Sequence, residues 1–142
     1  MTPITFNLDS SDYTAKLTFE VLLNDSVMFT TEHVSEPTSI TIAVSDDDAE
    51  HELKFVLKNK THEHTKLNEA GDIASDAMLS ISNIAFDDIK LGHMFFEQAL
   101  YLHDMNGSQS MNQHKFYGNM GCNGYVSLKF STPVYIWLLE NM

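Results

Sequence analysis

Apolar and polar residues alternate along most of the chain, and this period of two is typical of β-strands with one buried face. Residues 16–23 alternate in this way, the pair Asn24-Asp25 predicts a tight turn, and residues 26–31 return as the partner strand of a hairpin. The same alternation predicts further strands at residues 39–44, 51–58, 78–86 and 125–130. The pattern therefore predicts a protein built mainly from antiparallel sheet.

Three segments near the C-terminus are less regular. Residues 95–102 suit either a strand or a short helix, and we favour the strand because the neighbouring strands of a sheet need a partner. Residues 104–107 (Asp-Met-Asn-Gly) predict a turn. Residues 134–139 are apolar throughout, so we expect them to lie between layers of the core.

The number and spacing of these strands predict the fold class. About nine short strands, separated by turns roughly every 8–12 residues and without a long amphipathic helix, favour an all-β protein with the antiparallel β-sandwich architecture. The chain of 142 residues has the size of one domain and shows no repeat, low-complexity tract or linker. We therefore expect a single domain over residues 1–142.

Charge restricts the expected partners. The chain has 20 acidic and 8 basic residues, a net charge of −12, and all of its basic residues are lysines. Nucleic-acid backbones and anionic lipid surfaces attract basic clusters, so we expect neither nucleic acid nor a membrane as a partner. Calcium, neutral sugars and basic protein surfaces fit this charge better. The lone Cys122 cannot form an internal disulfide, which indicates maturation in a reducing compartment.

The sequence carries no recognisable catalytic motif. It contains no glycine-framed serine, phosphate loop or dinucleotide fingerprint, and Cys122 among its glycines fits a thiol packed in a turn better than a nucleophile. We therefore expect no enzymatic activity. Trp137 lies in an apolar run and is expected in the core rather than on a sugar-stacking surface. The carbohydrate-binding residues stay unassigned, because nothing distinguishes the tyrosines at positions 13, 101, 117 and 125.

Metal ligation has several candidates. For His62 and His64, and for the acidic run 46–48, a solvated segment is the favoured interpretation, because neither has a complete ligand set nearby in the sequence. The polar segment from Asn59 to Asp76 is a better cation candidate, because it offers carboxylates and amides beside many carbonyl groups, the oxygen ligands that calcium prefers. We take Asn59, Asp72 and Asp76 as its candidate ligands.

Three short motifs between Phe19 and about Leu91 resemble a known family. Residues 19–25 (Phe-Glu-Val-Leu-Leu-Asn-Asp) are similar to a strand of the type x-E-V-x-V-N-G. Residues 51–59 (His-Glu-Leu-Lys-Phe-Val-Leu-Lys-Asn) are similar to H-x-L-x-V-x-F-x-N-D, and residues 76–84 (Asp-Ala-Met-Leu-Ser-Ile-Ser-Asn-Ile) to D-x-N-L-x-V-D-x-I. In these motifs the chain resembles the small calcium-dependent xylan-binding modules. The resemblance covers about half of the chain and implies a jelly-roll β-sandwich, calcium as a cofactor and glycans as partners.

The resemblance is incomplete at the positions that would hold the cation. The family's loop aspartate after the asparagine is Lys60 here, Met78 stands in place of an asparagine, and Ser82 stands in place of a later aspartate. Asp76 keeps its place, and Asp72 lies nearby.

The C-terminal part is similar to a second group of proteins. Residues 114–118 (His-Lys-Phe-Tyr-Gly) and 133–142 (Pro-Val-Tyr-Ile-Trp-Leu-Leu-Glu-Asn-Met) resemble uncharacterised proteins of marine tailed phages, which are regarded as virion structural components. This resemblance implies a noncatalytic phage structural or decoration protein, made in the host cytoplasm and located in the virion. Its partners would be other virion proteins, a second copy of itself, or glycans. The alternative is a calcium-dependent carbohydrate-binding module.

Overall fold

The computed structural model describes residues 1–103 and 111–141, and it confirms the antiparallel β-sandwich that the alternation predicts. Thirteen strands, two α-helices and one short 3₁₀ helix lie within these residues. The turn predicted at residues 104–107 falls outside them. Within the same described part of the chain, neither helix has the length and apolarity needed to cross a membrane.

The first layer of the sandwich is a five-stranded antiparallel sheet. In spatial order its strands are β12 (Asn119–Met120), β8 (Leu79–Phe86), β1 (Thr2–Ser10) and β4 (Thr38–Val44), with β9 (Ile89–Lys90) paired to β8. The strand β1, which the sequence analysis did not predict, is hydrogen-bonded on both sides, to β4 and to β8. Asn83, with a φ of 54°, lies where the buried positions of β8 change phase, which is typical of a bulge.

The second layer is a six-stranded antiparallel sheet. In spatial order its strands are β11 (Asn112–Lys115), β10 (Leu100–His103), β13 (Gly124–Thr132), β5 (Ala49–Lys58), β2 (Thr18–Leu23) and β3 (Ser26–Thr31). The predicted hairpin is confirmed as β2 and β3. Asn24 and Asp25 both have positive φ, 52° and 67°, as a two-residue turn of type I′ requires.

The core lies between the two sheets and is rich in phenylalanine. Phe55 of β5 packs edge-on against Phe6 of β1 at a centroid distance of 4.9 Å, and Phe19 of β2 stacks beside Phe55 at 6.3 Å. Leu53, Phe55 and Leu57 are all buried, so the predicted inward face of β5 is confirmed. Burial of such aromatic rings stabilises the sandwich because it removes a large apolar area from water.

Two segments near the C-terminus form helices. The strand predicted over 95–102 is wrong in its first half: α1 (His93–Gln98) precedes β10. The helix inserts Phe95 between Phe55 and Phe116, at 6.1 and 5.4 Å, so core packing overrides the local strand preference. The second helix, α2 (Val134–Asn141), packs Trp137 against Phe86. The prediction that the whole of residues 134–139 lies between core layers is wrong, because a helix turns Tyr135, Ile136 and Leu139 to the exposed side.

Candidate functional site: a buried lysine cluster and an aromatic sheet face

The polar segment 59–76 folds mainly as a small hairpin. A 3₁₀ helix at His62–His64 leads into β6 (Thr65–Leu67), which pairs with β7 (Ile73–Asp76). Asp72 is exposed in the turn that precedes β7, whereas Asp76 ends that strand. The two carboxylates therefore flank β7 at its opposite ends.

The other two predicted ligands also have protein partners. Asn59, with a φ of 65°, donates a hydrogen bond from its amide Nδ2 to the Thr18 hydroxyl at 2.7 Å. The Asp76 Oδ1 atom accepts a hydrogen bond from the Thr65 hydroxyl at 2.6 Å and lies 2.6 Å from the Lys60 ammonium. The structure thus brings neither Asn59 nor Asp72 to Asp76.

Lys60 is the centre of a polar cluster, which we define as Lys60, Asp76, Gly121 and Asn123 and call the lysine cluster. The side chain of Lys60 is only 1% exposed. Its ammonium lies beside Asp76 and donates to the Gly121 carbonyl oxygen. A cation already neutralises Asp76, so the residues present do not fit a bound calcium ion, and the site at Asn59, Asp72 and Asp76 stays a prediction from the sequence.

Tyr101 anchors the segment that completes the lysine cluster. Its hydroxyl donates to the Cys122 carbonyl oxygen and accepts the Cys122 backbone N–H at 2.9 Å. Burial raises the pKa of this hydroxyl above its ordinary value, since the charged phenolate is poorly solvated there. Cys122 itself is half-buried against the core, as expected for a thiol packed in a turn.

The remaining metal candidates have ordinary structural roles. The His64 Nδ1 atom accepts the backbone N–H of Thr61 at 3.0 Å. Asp46 accepts a hydrogen bond from the Thr2 hydroxyl and lies 3.3 Å from the N-terminal amine of Met1; the Thr2 hydrogen bond lowers the pKa of the Asp46 carboxyl. Across residues 1–103 and 111–141, no group of three or more histidine, cysteine, aspartate or glutamate side chains is arranged to hold a metal.

The outward surface of the six-stranded sheet carries an aromatic residue among polar groups. Strand pairing aligns Tyr125 of β13 with Val56 of β5 on one side and Leu102 of β10 on the other. Tyr125 is half-buried, and the Lys54 ammonium lies 5.0 Å from the centre of its ring. We call this surface, formed by the outward residues of β2, β5, β10 and β13, the aromatic face.

Charged and hydroxyl groups surround Tyr125 on the aromatic face. The Ser127 hydroxyl donates to Glu52 Oε2 at 2.6 Å, and Lys54 lies 3.6 Å from the same carboxylate. A hydrogen bond to Asp25 raises the pKa of the Lys54 ammonium, because the charged form gains a partner. The face therefore presents fixed donors and acceptors next to a ring.

An open cleft of ≈ 530 Å³ adjoins this face. Its lining includes Glu52 and Lys129, which face each other across β5 and β13, together with Glu50, Glu140 and Trp137. Trp137 is 7% exposed, so the prediction that it belongs to the core is confirmed. The lining of the cleft combines the edge of the apolar core with carboxylates, which can accept hydrogen bonds from a polar ligand.

The sequence analysis missed the position of Tyr125, although a signal was present. Val126 and Leu128 are buried, so the alternation of β13 places Tyr125 and Ser127 on the opposite, outward side. The other tyrosines differ: Tyr101 is buried and Tyr117 is 71% exposed beyond the end of β11. No neighbouring residue in the sequence indicated that Lys60 would be buried in an ion pair, because its partners lie far along the chain.

Two solved structures share this fold. The first is described as "vCBM60 in complex with galactobiose"; it matches 89% of this chain and 96% of its own, with a TM-score of 0.54 and 12% identity. This chain therefore has the same fold as that module. The second, another form of vCBM60, is described in connection with two families of calcium-dependent carbohydrate-binding modules linked by circular permutation; 90% of each chain is matched, with a TM-score of 0.52 and 12% identity.

The likeness extends beyond the half of the chain in which the motifs were found, but at 12% identity it concerns the fold alone. No protein family matches the sequence. No curated protein matches it either.

Proposed function

We propose that this protein is a noncatalytic carbohydrate-binding domain that holds its glycan on the aromatic face. The observation that supports the proposal most strongly is the likeness, over 89% of the chain, to a carbohydrate-binding module that was solved with galactobiose. Because one fold can serve many functions, the surface chemistry has to support the same conclusion. The chemistry of the surface around Tyr125 supports it.

The aromatic face has the chemistry that a sugar ring needs. A pyranose has apolar C–H faces that pack on an aromatic ring, and hydroxyl groups that need directed hydrogen bonds at the edges. Tyr125 supplies the ring, while Lys54 and Glu52 supply charged partners on the same face, and the buried Ser127 hydroxyl holds Glu52 in place. These groups are held on a sheet rather than on a loop, so little ordering is needed when a ligand binds.

A glycan array followed by calorimetric titration of the retained glycan tests this proposal. Tyr125→Ala should weaken binding about tenfold or more, since an aromatic contact of about 1.4 kcal/mol is lost. Tyr125→Phe should bind nearly as well, because it keeps the ring. Tyr13→Ala is the matched control, since Tyr13 is an exposed tyrosine in the segment between β1 and β2. An array without any retained glycan, or equal affinities of Tyr125→Ala and the control, would contradict the proposal.

The proposal includes no catalytic step, and purified protein should leave the retained glycan intact. Calcium dependence belongs to the description of the similar modules. We do not extend it to this chain, because Asp76 is already paired with Lys60.

A place in a phage particle is a separate part of the proposal. It rests on the resemblance of the C-terminal residues to phage proteins, and it would give the glycan-binding domain a role in host adhesion or in decoration of the virion. Mass spectrometry of purified particles from the phage that encodes this chain checks it. Absence of the chain from those particles would remove the virion part and leave the glycan-binding part intact.

A further inference from the structure

The lysine cluster joins three segments that are distant in sequence. Lys60 follows β5, Asp76 ends β7, and Gly121 lies 61 residues after Lys60, just before β13. The backbone of Lys60 is fixed as firmly as its side chain. Its N–H donates to Asn123 Oδ1, and its carbonyl oxygen accepts from Asn123 Nδ2, both at 2.8 Å. The ammonium is therefore delivered to one position by a clamped backbone.

The atoms around the ammonium are oxygens of the kind that hard cations bind. They include a carboxylate oxygen of Asp76 at 2.6 Å and the carbonyl oxygen of Gly121. The Thr65 hydroxyl, at 2.6 Å from the same Asp76 oxygen, satisfies that carboxylate further. A lysine with a side-chain exposure of 1% is stable only when its charge is paired in this way.

A divalent ion and this ammonium cannot occupy the cluster together. A cation bound to Asp76 would lie within a few ångströms of the Lys60 nitrogen, and two like charges at that distance repel strongly in a buried site. Asn123 holds the Lys60 backbone through two hydrogen bonds, so the ammonium can leave the cluster only by rotation of the side chain, which would break its contacts with Asp76 and Gly121. The cluster is thus complete without a metal.

We propose that the Lys60 ammonium is a tethered cation that stabilises this end of the sandwich in the place of a divalent metal. The native protein then folds independently of calcium. This inference does not depend on glycan binding, and its test uses no glycan.

Thermal unfolding of the full chain with calcium or with chelator tests the proposal. The wild type should have the same Tm in both. Lys60→Ala should lower the Tm in chelator by about 10 °C, because the partly buried Asp76 loses its counter-charge and the buried contacts of the lysine side chain are lost. Lys58→Ala is the matched control: Lys58 pairs with Glu20 at 2.5 Å but is largely exposed, so its Tm should fall by about 1–2 °C.

The double variant Lys60→Ala/Asp76→Asn should recover part of the lost Tm, because the carboxylate that has lost its counter-charge is removed as well. Calorimetric titration of the wild type with calcium chloride needs no variant and should give no binding heat. The proposal is overturned by saturable calcium binding to the wild type, or by equal Tm losses of the two lysine variants.

Discussion

Midway along β5, Phe55 lies among aromatic rings, whereas two residues beyond the end of the same strand Lys60 lies among oxygen atoms. The neighbours of Phe55 are Phe6, Phe19 and Phe95, with ring centroids 4.9 to 6.3 Å away. The neighbours of Lys60 are a carboxylate and a carbonyl oxygen. Both side chains are buried, but their surroundings stabilise them in different ways.

The difference in surroundings determines how each region responds to an amino-acid substitution. Apolar packing is nondirectional, so a related side chain of similar volume retains most of its stabilising effect. A buried ion pair depends on both partners, because removal of one leaves an uncompensated charge in a poorly solvating environment. Substitutions in the aromatic core should therefore have graded effects, whereas the lysine cluster should lose its stability once any one partner is lost.

Truncation of the central ring should have the largest effect. Phe55→Ala should lower the free energy of unfolding by about 3–5 kcal/mol, because it removes a buried ring and leaves a cavity. Ile42→Val, which removes one buried methyl group from the same core, should cost about 1 kcal/mol. Urea denaturation of both variants measures the two losses. Equal losses would contradict a graded response of the core.

A substitution between the two regions should have an intermediate effect. Gly124 begins β13 directly after Asn123, has a φ of +156°, and a Cβ atom there would lie 2.2 Å from the Leu102 carbonyl oxygen. Gly124→Ala should therefore displace β10 from β13 and cost about 2–3 kcal/mol.

Gly71→Ala is the matched control for this variant. Gly71 also has positive φ, but its added methyl group would meet no atom within 4 Å. Denaturant unfolding should show a smaller loss for Gly71→Ala. A loss as large as that of Gly124→Ala would mean that backbone strain, not the close approach of the strands, decides the effect.

Loss of the Tyr101 hydroxyl should have a smaller effect at neutral pH than Phe55→Ala or Gly124→Ala. Tyr101→Phe removes the hydrogen bonds to Cys122 and should cost about 1–2 kcal/mol. Because burial raises the pKa of this hydroxyl in the folded state, the unfolded chain ionises first. The stabilising contribution is complete below about pH 10 and declines as the pH rises further.

Urea denaturation between neutral and alkaline pH checks the direction of this change in stability. The wild type should lose stability above about pH 10 more steeply than Tyr101→Phe, since the variant has no phenol at this position. If the free energies of unfolding of the two proteins fell equally with rising pH, Tyr101 would not be titrating with unfolding.

The sequence predicted local features well and distant ones poorly. The β2–β3 hairpin and the inward face of β5 follow from alternation and from the Asn24-Asp25 turn, which are properties of adjacent residues. The strand β1 was missed although Ile4 and Leu8 share its buried face, because Asn7 and Asp9 on either side of Leu8 weaken a strand pattern. The helix α2 was missed because exposed apolar residues hide its helical spacing.

The lysine cluster could not be predicted by the same means. Lys60 resembles any polar loop residue until the fold brings Gly121 to it across 61 residues. The resemblance to calcium-dependent modules identified position 60 as a departure but did not reveal its consequence. Only the three-dimensional placement of Asp76 shows that the lysine supplies a positive charge where a ligand aspartate was expected.

The central position of β1 has a consequence for the synthesis of the protein. Its two hydrogen-bonding partners are β4, which ends at Val44, and β8, which ends at Phe86. During synthesis, one edge of β1 must therefore stay unpaired until β8, which begins at Leu79, has also emerged from the ribosome. Chaperones that bind extended apolar segments would meet Ile4, Phe6 and Leu8 during that interval.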